Sequence, residues 1–94
     1  MVWDLRRALH KKGEIESARL DDFEFRLRAR TMRLLASTLG LEPDALVARI
    51  AADADETIVA SLGAEAAVAY PPLREEARRQ LITELGDPTP YKLA

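Results

Sequence analysis

The chain has 94 residues, 48% of them apolar but only 5% aromatic, with 14 Lys/Arg against 16 Asp/Glu and a formal net charge of −2. That is one domain with a modest core of Leu, Ala, Ile and Val. With no cysteine it can form no disulfide, thiolate metal site or catalytic thiol, a composition compatible with a reducing compartment. No apolar run approaches the ~20 residues that span a bilayer. Asp4, Arg6 and Arg7 interrupt the N-terminus, so no signal peptide is expected and the expected location is the cytoplasm.

Charge is unevenly spread. Residues 1–33 carry nine Lys/Arg against six Asp/Glu, residues 34–71 only Arg49 against six acids, and residues 72–94 four of each. Such asymmetry points to segments that pair within the fold, or to one face that meets a charged partner.

In chain order, Val2, Leu5, Ala8 and Leu9 recur at helical spacing, with Trp3 beside them, and Lys11-Lys12-Gly13 supplies a cationic last turn and a stop. The expectation is a short helix over 2–12. A helix of that length is marginal in isolation and must dock on the domain or on a partner. Glu14 to Leu20 reads as a polar connector, with room for one more turn around Ile15 and Ala18.

The densest signals lie between Asp21 and Gly40. Asp21 followed by Glu24 resembles a capping box, and Leu20 with Phe25 has the spacing of a hydrophobic staple. Gly40 after Leu39 marks a left-handed stop, with Leu41 folding back onto Ala36 or Leu35. Over 21–39 the helical register places Arg26, Arg30, Arg33 and Ser37 on one polar strip. Phe25, Ala29, Met32, Ala36 and Leu39 form one apolar stripe, and Phe23, Leu27 and Leu34 a second, with Leu35 between them. Two stripes mark a helix packed on two sides, at the centre of a bundle.

Pro43 suits the first position of the next helix, whose stripe runs through Val47, Ile50, Ala51, Ala54, Ile58 and Leu62. Asp53 with Glu56 offers a second capping arrangement, so 43–62 is either one kinked helix or two short ones. Ala64 to Tyr70 is Ala-rich, and Pro71-Pro72 ends or redirects it. A last helix over 72–85 buries Leu73, Ala77, Leu81, Ile82 and Leu85, pairs Glu75 with Arg79 outside, and stops at Gly86. The tail from Asp87 to Ala94, with Pro88 and Pro90, is expected to be extended. The fold expected is all-α: one helical domain over 1–86, a small bundle of about four helices around the central one, then the tail at 87–94.

Candidate chemistry is sparse. His10, the single histidine, stands among Arg7, Lys11 and Lys12 and has no His or Cys partner for a metal site. Ser17, Ser37 and Ser61 have no base at a suggestive spacing. Asp53, Asp55 and Glu56 lack the glycine and ligand spacing of a calcium loop, and no glycine cluster can cradle phosphate. The expectation is a protein with no catalytic, metal or cofactor-binding residues. Leu35-Ala36 through Leu39-Gly40-Leu41 to Leu46 resembles a helix-turn-helix turn. The following helix, however, opens Glu42-Pro43-Asp44 and carries only Arg49, which argues for weak or no nucleic-acid binding. Arg28 projects between apolar stripes, either pairing with Glu24 one turn back or serving as a partner anchor. Trp3 is likewise core or anchor.

The run Phe25-Arg26-Leu27-Arg28-Ala29-Arg30, through Leu34-Leu35 to Leu39-Gly40-Leu41, resembles the inhibitory zeta subunit of bacterial F-type ATP synthase. The resemblance implies a four-helix bundle whose N-terminal segment enters the catalytic head and blocks rotation. Trp3, Leu5, Arg6 and Leu9 are then the contact residues, and the partner is a nucleotide-hydrolysing motor. The alternative is an oligomerising adaptor, similar to a small terminase of a phage or phage-derived particle. In that case the tail around Tyr91 docks on a motor subunit. Both readings make the chain a non-catalytic protein-interaction subunit of open oligomeric state.

Overall fold

The computed structural model describes the backbone of residues 2–88 and the side chains of residues 18–88. The protein is all-α. Helix α1 spans Val2–Leu39, α2 Pro43–Ala48, α3 Asp55–Leu62 and α4 Ala64–Leu85, with a 3₁₀ turn at Arg49–Ala51 between α2 and α3. No strand occurs among the described residues.

The separate helix expected over 2–12 and the connector at 14–20 are both absorbed into α1, which runs unbroken for 38 residues. The local signals were real, but they stop a helix only where the chain turns. A glycine inside a helix costs about 1 kcal/mol against alanine, and Glu14 to Leu20 contains no proline or β-branched run to add to that cost. Asp21 and Asp22 therefore lie inside the helix rather than at its start. Leu20 and Phe25 form no staple: they remain 43% and 55% exposed. At 1.5 Å per residue α1 is ~57 Å long, and the longest dimension of the molecule is 58 Å.

The far end of α1 is closed as expected. Gly40 takes φ 71°, the Leu41 N–H bonds the Ala36 carbonyl at 2.8 Å, and the Gly40 N–H bonds the Ser37 carbonyl at 3.4 Å. This is the paired closure of a Schellman turn. It sends the chain back along α1 through α2.

Of the two forms open for 43–62, the structure takes two helices. The chain leaves the 3₁₀ turn and enters α3 through Ala54 in an extended conformation, with no side-chain cap. The Asp53–Glu56 capping arrangement does not form. Asp53 instead lies 3.7 Å from Arg49.

The expected stop at Pro71-Pro72 is corrected as well, for α4 continues through both prolines to Leu85. Each proline removes one backbone hydrogen bond, those to the Ala67 and Val68 carbonyls. Both of those residues and both prolines are on the surface, Val68 being 78% exposed, so water can serve the freed carbonyls. The expected Glu75–Arg79 pair is replaced by Glu76–Arg79 at 2.6 Å.

Two apolar clusters hold the helices together. The larger gathers Met32, Leu35 and Ala36 of α1 with Leu46, Ile50, Ile58, Val59 and Ala66. The smaller packs Phe23 and Leu27 of α1 against Ala77 and Leu81 of α4. The two stripes of the central helix are thus each covered, apart from exposed Phe25.

The ion pairs show how α1 and α4 meet. A plainly antiparallel pair through Leu27 and Ala77 would put Arg30 opposite residue 74, about ten residues and ~15 Å along the axis from Glu84. Arg30 nevertheless reaches Glu84, Nη2 to Oε1 at 2.8 Å, while Arg74 reaches Glu24 at 2.9 Å. The helices therefore cross at the smaller cluster, and one ion pair braces each flank of the crossing.

Candidate functional site

The most connected polar group in the described residues is a junction of three helices. Arg28, on the side of α1 facing the α3 entrance, donates from Nε to Asp55 Oδ1 at 2.7 Å and from Nη2 to the Asp53 carbonyl at 2.6 Å. Asp55 opens α3, where a negative charge also suits the positive helix end. Its second oxygen accepts the Tyr70 hydroxyl of α4 at 2.6 Å. One turn along α4, Arg74 donates to Glu24, which lies one turn before Arg28 on α1. Arg28 thus pairs with Asp55, not with Glu24. The network returns to the helix on which it began.

Burial gives the junction its strength. The side chains of Arg28 and Asp55 are only 24% and 12% exposed, and opposite charges held from water in this way attract more strongly than a surface pair. The Tyr70 hydroxyl is pushed up to about 12, first by burial and then by its bond to the Asp55 carboxylate. It remains a protonated donor. Tyr70, held neutral in this way, is the wrong form for a nucleophile or base at neutral pH. The junction orders α1, α3 and α4 around one carboxylate.

Other candidate chemistry is also tied into the fold. Ser61 donates to the Ile58 carbonyl at 2.6 Å and accepts from Arg49 at 2.7 Å. Buried Thr31 donates to the Leu27 carbonyl at 2.7 Å. Every buried side-chain nitrogen and oxygen among the described residues has a partner, and no group of three or more His, Asp or Glu there could hold a metal ion. The strip of Arg26, Arg30 and Arg33 faces carboxylates: Asp22 at 2.8 Å, Glu84, and Asp44 at 3.5 Å. Among the described residues no helix is long and apolar enough to cross a membrane.

Where α4 ends beside α1, Arg19, Asp22, Phe23, Arg26, Leu85 and Pro88 line an open groove of about 200 Å³. That is below the ~300 Å³ at which small-molecule sites begin.

Of the residues that sequence reasoning selected as partner contacts, the structure describes the side chain of Arg28 alone, and that side chain is engaged inside the fold. The side chains of Trp3, Leu5, Arg6 and Leu9, and the whole of Tyr91, lie outside the described residues. Asp55, Tyr70, Arg74 and Glu24 were missed as a group. The one signal for them was the inconsistency of Arg28 on an apolar side of its helix, since a buried guanidinium requires an acidic partner.

Comparison with protein-family models, with curated proteins and with solved structures gives no match to this chain.

Proposed function

We propose that the chain is a small non-catalytic helical subunit that regulates another protein, and that it acts as a zeta-like inhibitor of a bacterial F-type ATP synthase. The observation that carries this reading is the shape of α1. Its core residues among those described run from Phe23 to Ala36, yet the helix begins at Val2. One continuous helix joins the packed domain to the segment that holds Trp3, Leu5, Arg6 and Leu9. The same helix carries Phe25 to Leu39, most of the run that resembles the zeta family, and Gly40 and Leu41 close its end.

The test is ATP hydrolysis by a purified bacterial F-type ATPase with the full chain added. Hydrolysis is expected to fall, and a chain lacking residues 1–13 is expected to lose the effect while keeping its helical spectrum. No inhibition at micromolar excess overturns the proposal. Light scattering supplies an independent check, since an inhibitor of this kind is expected to be monomeric. A multimer would favour the oligomerising adaptor instead.

A further inference from the structure

We infer that the C-terminal half of α4, residues 73–85, is a strap that undocks from α1 as a unit about a hinge at Pro71-Pro72. Three independent features meet there. The prolines delete two consecutive backbone hydrogen bonds, a recognised cause of kinking in a helix. The core divides almost at the same place: Ala66, Ala69 and Tyr70 belong to the large cluster, whereas Ala77 and Leu81 join Phe23 and Leu27 in the smaller one, with Leu34 and Ile82 against it. Leu73 reaches back to the large cluster and acts as the pivot.

The third feature is the unequal fastening of the two halves. The half before the prolines is held by the part-buried bond from Tyr70 to Asp55. The half after them is held by Arg74–Glu24 and Arg30–Glu84, whose carboxylates are 53% and 49% exposed, and by a longer bond from Arg30 to Gln80 at 3.3 Å. Exposed pairs are weak and are screened by salt. Elements with few buried contacts and solvent-accessible pairs open before the rest of a fold. Undocking of the strap uncovers Phe23 and Leu27 on α1 while the large cluster stays closed. The device is a property of the fold and stands whether or not the chain inhibits an ATPase.

Native-state amide hydrogen exchange on the full chain tests it. Backbone amides of 75–85 are expected to exchange at least tenfold faster than those of 58–62 and 67–70, at a nearly uniform level with one step at the prolines. Fraying would give a gradient rising smoothly toward Leu85, and that result overturns the strap. Equal protection on both sides of the prolines does so as well. Glu84→Gln is expected to lower protection severalfold in 75–85 and leave 58–62 and 67–70 unchanged; a uniform loss in all three segments counts against the device. The double variant Pro71→Ala, Pro72→Ala restores two amide donors and is expected to narrow the gap. If the gap is unchanged, the hinge is not at the prolines.

Discussion

Tyr70 donates its phenolic hydrogen to Asp55 Oδ2 across 2.6 Å, and this bond ties the middle of α4 to the first turn of α3. Its partner oxygen on the same carboxylate takes Arg28 of α1. Three helices therefore share one acidic side chain, and the bundle cannot shift at this point without breaking more than one bond.

The Tyr70 bond makes alkaline stability measurable. The folded hydroxyl titrates at about 12 against an ordinary 10.0, so the folded state holds its proton more tightly than the unfolded chain does. The resulting stabilisation is complete below pH 10 and is lost as pH rises from 10 through 12. In a Tyr91→Phe background, which leaves Tyr70 as the single tyrosine, absorbance at 295 nm should show a midpoint near 12. A midpoint near 10 in the folded protein would refute the burial of this group. Tyr70→Phe should flatten the loss of stability across the same window.

The Arg28–Asp55 pair is expected to behave as a coupled unit. Removing one partner leaves the other part-buried without the opposite charge that balances it, so Arg28→Met or Asp55→Asn alone should each destabilise by about 1–3 kcal/mol. The double variant should cost less than the sum, with a coupling energy in the range of about 0.5–3 kcal/mol found for contacting residues. Urea unfolding of the four proteins closes the cycle. Strictly additive losses would mean that the contact contributes nothing specific.

How far the sequence could be read depends on the range of the forces involved. The stop at Gly40 was legible because a Schellman turn is made by residues next to one another, and its bonds fall where the Leu-Gly-Leu spacing puts them. The break around 53–56 was visible, but its form was not, since Arg28 claims the Asp53 carbonyl from another helix. The unbroken α1 was missed because Asp21, Leu20 and Phe25 imitate a helix start that only a turn in the chain would make real. The continuation of α4 past two prolines was missed because Ala77 and Leu81 are held by a helix about fifty residues away in sequence. The polar junction was out of reach for that reason as well. Arg28 announced that it needed a partner, but only the approach of α3 decides that Asp55, and not Glu24, is that partner.

Gly63 carries a sharper constraint than its position between two helices suggests. It alone separates α3 from α4, at φ 102° and ψ −174°, a region open essentially to glycine alone. A Cβ there would meet nothing within 4 Å, so a substitution has no clash to relieve and its whole cost is torsional. Gly63→Ala is expected to destabilise by about 1–3 kcal/mol, read as a lower urea midpoint with an unchanged slope. A midpoint equal to that of the parent chain would show that the corner relaxes without strain.

The Arg30–Glu84 pair offers a final check, in acid and salt. The Arg30 hydrogen bond, opposed by a small loss of hydration and aided by the Arg30 charge, holds the Glu84 carboxyl below its ordinary 4.5. A carboxylate depressed in the folded state stabilises the fold above its unfolded value, and that contribution is lost as pH falls through the lower folded one. Following the Glu84 carboxyl by NMR should therefore give a midpoint below 4.5 in the parent chain. Arg30→Gln should return it toward the ordinary value. High salt should do the same in part, because the pair is open to solvent. A midpoint indifferent to Arg30 would mean that the two side chains do not meet in solution, and that the flank of the α1–α4 crossing on that side is held by the apolar cluster alone.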